Sequence, residues 1–265
     1  KGFCVDDFTT EAMSFIERSV KKDKPFFAYV PYNTPHSPMQ VPDRWWNKFK
    51  DMNLEDMMRN RNPNKEDRLH LLAALAMCEN IDWNVGRLLK KLDQLHVTDD
   101  TIVVFFHDNG PNGTRWNGDM EGRKGSTEEG GTRSPLLIKW PKGIKAGTEV
   151  MPIASVLDLL PTLCELAGVK QRPLKVIDGQ SLKPLLSGNT KGWKSRTLVS
   201  TWKGKLGVRD QRFRLGYKGK LFDMEKDPGQ RVDVSKQFPK VTERLNQRKE
   251  SFQKKVLEQI GPDER

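Results

Sequence analysis

Before residue 190, short runs that are apolar on both faces alternate with amphipathic helical stretches, and this alternation constrains the fold more than any other feature. A strand buried on both faces needs a layer on each side, and connecting helices supply it. The pattern therefore predicts an α/β fold, a mostly parallel sheet with flanking helices. Thr9 can cap a helix whose apolar positions Ala12, Phe15, Ile16 and Val20 share one face, followed by a strand over Phe26 to Val30. A long helix is predicted between residues 67 and 95 from Leu69, Leu72, Ala76, Ile81, Val85, Leu88, Leu92 and Leu95, then a strand from Thr101 to His107. Residues 135–140 predict another strand. Ser155 with Asp158 predicts an N-terminal cap for a helix ending at Gly168, with Pro161 in its first turns.

At 187–196 the periodicity lapses into Gly and polar residues, which predicts a boundary near 190 between a domain over 1–190 and a smaller one over 191–265. The chain's 265 residues are enough for one large domain, or a large and a small one, at about 150 residues per domain. After the boundary, Leu198–Trp202, Gly207–Arg209, Phe213–Tyr217 and Lys220–Phe222 predict a small antiparallel sheet. Pro239 starts a helix whose stripe Val241, Leu245, Phe252 and Val256 can lie on that sheet.

Charge separates the same two regions. From Ser187 to Arg265 there are 20 Lys and Arg against 10 Asp and Glu, so +10 of the formal +11 lies there. Such a face either steers anionic, even polymeric, substrates or is simply solvated; the lack of a recognised nucleic-acid motif argues against a specific nucleic-acid partner. At 35% hydrophobic residues the chain is too apolar for whole-chain disorder, and no run approaches the ~18 apolar residues of a membrane span. Cys4, Cys78 and Cys164 are odd in number and widely spaced, which excludes a disulfide framework or a cysteine-rich zinc module. The chain opens Lys1-Gly2-Phe3-Cys4, with neither an initiator Met nor a leader pattern, so a fragment of a longer protein is expected.

Three loops carry candidate chemistry. Where the strand ending at His107 runs into Asp108-Asn109-Gly110, a carboxylate and an amide oxygen offer hard ligands for Ca²⁺ or Mg²⁺ at a strand's carboxyl end, although the tripeptide is also ordinary turn chemistry. Pro35-His36-Ser37-Pro38 follows the strand ending at Val30, and its prolines predict an extended, fixed loop around His36. The glycine-bracketed stretch Gly122-Arg123-Lys124-Gly125-Ser126-Thr127-Glu128-Glu129-Gly130-Gly131 brings a cation close to backbone, or is a flexible hairpin. Together, a divalent cation, a histidine and a lysine suit a tetrahedral oxyanion ester, which needs its charge neutralised and its departing alcohol protonated.

These segments, with Glu79-Asn80-Ile81-Asp82-Trp83-Asn84-Val85-Gly86-Arg87, Asp158-Leu159-Leu160-Pro161-Thr162, Asp178-Gly179-Gln180-Ser181-Leu182 and Leu221-Phe222-Asp223, resemble a type I sulfatase of the arylsulfatase kind. The resemblance implies part of an alkaline-phosphatase-like α/β domain with a small C-terminal antiparallel sheet, and hydrolysis of a sulfate ester by a formylglycine nucleophile with Ca²⁺ or Mg²⁺. It implies that Asp108 and Asn109 are metal ligands, that His36 helps protonate the leaving oxygen, and that Lys124 binds the sulfate and ester oxygens. The implied substrate is a sulfated small molecule or sulfated carbohydrate, and the implied location periplasmic or secreted. Trp116 and Asn117, in the intervening loop, are candidate substrate contacts because aromatic faces stack on rings.

The departures are specific. None of the three cysteines stands in the family's Cys-x-Pro-x-Arg setting, and Asp6-Asp7 precedes a helix pattern with no strand before it, so it does not match the family's paired aspartates. Nucleophile and remaining ligands are expected upstream of Lys1, leaving this chain inactive alone, with a weak metal half-site and a sheet edge open to dimerisation. His107 replaces the family's small hydroxyl residue and is expected to pack. The alternatives are a phosphodiesterase or phosphonate hydrolase of the same superfamily, and a noncatalytic module that binds sulfated polymers.

Overall fold

The computed structural model describes residues 2–54, 67–113, 115–169 and 176–256. It divides into two compact units, one made of Lys1–Val104, Thr114–Trp116 and Ile138–Lys142, the other of Phe105–Gly113, Asn117–Leu137 and Gly143–Arg265. Residues 187–196 lie within the second unit.

In the first unit α1 (Cys4–Lys21) has Phe3 and not Thr9 at its N-cap position, so it begins nearly two turns earlier than predicted. Asp6 and Asp7 fall in its first turn, where their charge complements the helix dipole. Thr9 is therefore no cap: it is buried inside the helix, donating to the Val5 carbonyl at 2.7 Å and sharing a hydrogen bond with the Tyr32 hydroxyl at 2.7 Å. After α2 (Asp43–Phe49) comes the predicted long helix α3 (Arg68–Gln94), opened by the Asp67 side chain accepting from the His70 N–H at 3.0 Å. Its inner face differs from the predicted stripe, since Leu69 is exposed while Asn80 and Asn84 are fully buried. Asp6 on α1 is the reason. Its Oδ1 accepts from both asparagine amides at 2.8 Å, and Arg44 adds a hydrogen bond to Oδ2 at 2.7 Å.

The predicted strand over Phe26–Val30 is not formed. A strand exists only through ladder partners, and among the described residues none pairs with this segment, which leaves Phe27 and Tyr29 exposed. The other two predicted strands do form: β1 (Val103–Phe106) and β2 (Leu136–Lys139) pair as a two-stranded sheet.

The second unit contains the one-turn α4 (Glu129–Thr132), then the capping box predicted at Ser155 and Asp158, which opens a 3₁₀ turn into α5 (Leu159–Leu166). Asp158 is fully buried. It accepts from the Ser155 and Gln180 N–H groups at 2.7 and 2.9 Å and pairs with both terminal nitrogens of Arg196. This knot fixes the 178–182 segment against the start of α5, with Leu182 N–H donating to Thr162 Oγ1 at 2.8 Å. Beyond α6 (Lys183–Leu186), the predicted antiparallel sheet is present as β3 (Leu198–Trp202), β4 (Lys205–Arg209), β5 (Phe213–Leu215) and β6 (Leu221–Asp223), in that spatial order. α7 (Pro239–Lys255) places Leu245 in a core with Val208, Phe213, Leu215, Leu221 and Val234. The predicted stripe fades toward its end, where Val256 is exposed.

Candidate anion and metal half-site

β1 ends at Phe106, and the chain is clasped at once: His107 N–H donates to Ser134 Oγ at 2.9 Å while that hydroxyl donates to the His107 carbonyl at 2.7 Å. The exposed His107 ring stands edge-on to Phe105, centroids 5.5 Å apart. Asp108 then projects on the surface with Asn109 half-buried beside it. Gly110 turns inward, its N–H donating to the Gly131 carbonyl at 3.0 Å. It has to be glycine, because a Cβ would drive into the Gly130 carbonyl oxygen.

The glycine-bracketed loop returns along this turn. Lys124 N–H donates to the Pro111 carbonyl at 2.9 Å, and Gly130 N–H to the Glu121 carbonyl at 2.7 Å. Asn117 is committed to the same loop, its amide nitrogen donating to the Met120 and Gly122 carbonyls at 3.1 and 3.0 Å. Thus Asp108, Asn109 and Lys124, distant in sequence, stand on two loops joined by backbone hydrogen bonds within one unit, and both charged side chains are exposed.

Sequence reasoning missed what holds the lysine loop down. Glu129, 6% exposed, receives Arg214 Nη2 at 2.8 Å and Nε at 3.1 Å, and Arg214, 3% exposed, also donates to the Thr127 carbonyl at 2.5 Å. Gln230 brackets the neighbouring pair, donating to Glu128 Oε2 at 2.6 Å and accepting from the Glu129 N–H at 2.9 Å. The adjacent glutamates in a glycine-rich loop were the only signal. Their partners lie 85 or more positions away, with no local pattern to mark them.

His36 and Trp116 belong to the first unit. His36 lies in a turn and not the predicted extended loop, its N–H donating to the Asn33 carbonyl at 3.1 Å; a turn closes the N–H that an extended loop would leave to water. Nδ1 lies 2.8 Å from the Ser37 carbonyl, which can only accept, so Nδ1 carries a proton and Nε2 is left to act outward. Trp116 is 45% exposed. Among the described residues no group of three or more His, Cys, Asp or Glu could hold a metal, and all three cysteines are free thiols.

The sulfatase family model matches residues 3–169, and a second, for the C-terminal part of N-sulphoglucosamine sulphohydrolase, matches 124–255. The chain belongs to the sulfatase family. It is 40% identical over 121 residues to steryl-sulfatase of Mus musculus, covering 42% of this chain and 19% of that one. It is 30% identical over 187 residues to N-acetylgalactosamine-6-sulfatase of Canis lupus familiaris, covering 68% and 32%. The crystal structure of Ps i-CgsB superposes with a TM-score of 0.82 at 29% identity, covering 95% of this chain and 55% of that one. The expected fold is thereby established as that of the alkaline-phosphatase-like sulfatases. The chain spans about a third or less of the length of these curated relatives.

Proposed function

We propose that this chain is part of a sulfate-ester hydrolase that acts on sulfated carbohydrate. The observation that carries this is the joining of the Asp108-Asn109-Gly110 turn to the Lys124 loop, in a chain of the sulfatase family. Carbohydrate is favoured over a small apolar ester by the exposed, charged character of both loops. It is also favoured by relatives: one is an N-acetylgalactosamine-6-sulfatase, and Ps i-CgsB has been solved in complex with k-i-k-neocarrahexaose.

Asp108 and Asn109 fit a hard divalent cation, Ca²⁺ or Mg²⁺, as two oxygen ligands of the six to eight that Ca²⁺ takes, so the residues here make a half-site. A cation held there supplies charge neutralisation to sulfate oxygens. Lys124, fixed by its own backbone and by the buried Glu129–Arg214 pair, presents an ammonium to the sulfate and bridging oxygens. His36, with Nδ1–H already committed to Ser37, would act as the acid only as the imidazolium, passing a second proton from Nε2 to the leaving oxygen and returning to the neutral Nδ1–H tautomer. A formylglycine nucleophile is assigned to another segment, because none of Cys4, Cys78 and Cys164 is followed by x-Pro-x-Arg. The chain alone is accordingly inactive.

No helix among the described residues is long and apolar enough to cross a membrane. A secreted or periplasmic location belongs to the same proposal. The deciding experiment assays the full-length enzyme that carries this chain on an aryl sulfate, an aryl phosphate diester and a sulfated oligosaccharide. Sulfate release that Lys124→Ala lowers about 10²–10³-fold is the expected result. Turnover of the phosphate diester without sulfate release would overturn the reading.

A further inference from the structure

The β3–β4 hairpin stands beside the lysine loop and carries groups that the proposed chemistry does not use. Trp202 pairs with Lys205 across a two-residue turn made by Lys203 and Gly204, at φ 46° and 74°, a left-handed geometry that holds a hairpin end rigid. The indole is 49% exposed. One edge is lodged against the site, since a Cβ added at Gly125 would lie 3.4 Å from Trp202 Nε1, and Gly125 directly follows Lys124. Lys203 lies 6.0 Å from the Trp202 ring centre and Lys205 is the ladder partner of Trp202; Lys205 and Lys218 in turn lie 5.0 and 5.6 Å from the ring centre of Tyr217. All three lysines are exposed.

A rigid, half-exposed indole next to clustered cations suits a ligand that has both an apolar ring face and anionic substituents. A sulfated sugar has both; inorganic sulfate has only the charge and an unsulfated sugar only the face. We propose that Trp202, with Lys203 and Lys205, forms a second saccharide subsite, stacking a ring of a sulfated oligosaccharide next to the residue whose sulfate is held at Lys124. The subsite rests on the sulfated-carbohydrate reading and adds the residue that selects oligomers over monosaccharides. Because the turn is preorganised, little ordering opposes binding, and the electrostatic part weakens with salt.

The test uses the full chain labelled with 5-fluorotryptophan, so that its seven tryptophans give separate ¹⁹F resonances, with that of Trp202 assigned from Trp202→Phe. It is titrated with a sulfated hexasaccharide, its unsulfated counterpart, inorganic sulfate and single-stranded DNA. The sulfated hexasaccharide alone is expected to shift the Trp202 resonance, and Trp202→Ala to weaken its binding about tenfold while leaving inorganic sulfate unchanged. Trp202→Tyr, which keeps an aromatic face, should recover most of that loss and so guards against a folding artefact. If Lys124→Ala abolishes hexasaccharide binding while Trp202→Ala leaves it intact, the subsite is wrong and the sulfated-carbohydrate reading survives. If inorganic sulfate binds and the hexasaccharide does not, both are wrong. Equal binding of DNA would also overturn the subsite, by showing nothing more than a polyanion surface.

Discussion

The loops carrying Lys124 and His36 each present a nitrogen outward from a tight turn, yet they are held in opposite ways. The lysine loop is fixed from below by a buried arginine–glutamate pair and from the side by backbone hydrogen bonds to the Asp108 turn. The histidine loop is held by its own local bonds, to Asn33 and Ser37, and its side chain is exposed. The first is preorganised by distant parts of the chain, the second only by itself. In the proposed chemistry, a group that neutralises developing charge would gain from the first kind of support, whereas a proton donor would need room to approach its acceptor.

The contrast breaks most severely at Arg214. Arg214→Met takes from the buried Glu129 carboxylate its two close hydrogen bonds and leaves it the longer ion pairs to Arg209 at 3.5 Å and Arg133 at 3.9 Å. Urea unfolding should show a loss of about 3 kcal/mol, and the amide protons of the Lys124 loop should exchange faster in parallel. The double change Arg214→Met with Glu129→Leu should recover much of it, and a loss below about 1 kcal/mol in the single variant would show that the pair does not hold the loop. Gly110→Ala comes next, at about 1–3 kcal/mol, because the new methyl group meets backbone and not a yielding side chain. A thermal melt indistinguishable from the parent would remove the close approach from the explanation.

A third effect asks whether the contrast belongs to the loops or to the whole second unit. Burial pushes the Asp158 carboxyl upward, but the Arg196 guanidinium and the Gln180 and Ser155 N–H groups outweigh it and hold the group below the usual carboxylate range. The folded value thus lies beneath the unfolded one near ~3.9, so its stabilisation is complete above about pH 4 and is lost as pH falls through the folded value. Denaturant melts from pH 6 to pH 2 should show this acid limb, and Asp158→Asn should flatten it. The smallest change is expected at His36→Ala, within about 0.5 kcal/mol by chemical denaturation, since the side chain's hydrogen bond is purely local.

What could be read in advance divides along the same line. Local grammar was legible: the Ser155 capping box, the long α3, the hairpin runs and the turn after β1 all declare themselves within a few residues. The Lys124 loop and Asp108 turn could be named, and the structure joins them. Thr9 was misread because a capping residue type also suits a buried helix position when a partner such as Tyr32 lies far along the chain. The α3 stripe holds at Leu72, Ala76 and Leu92 but starts past Leu69 and takes in Asn80 and Asn84, which look polar until Asp6 meets them. Phe26–Val30 has strand composition, and composition cannot supply a ladder partner.

The long reach from Glu129 to Arg214 also orders events during synthesis. A ribosome releases the lysine loop well before Arg214 and Gln230, so the loop must wait, uncommitted, until the later hairpins have emerged and folded. A nascent chain stalled short of Arg214 would therefore display Lys124 on an unmade loop, and the loop would take its final form only when the last strands close beneath it.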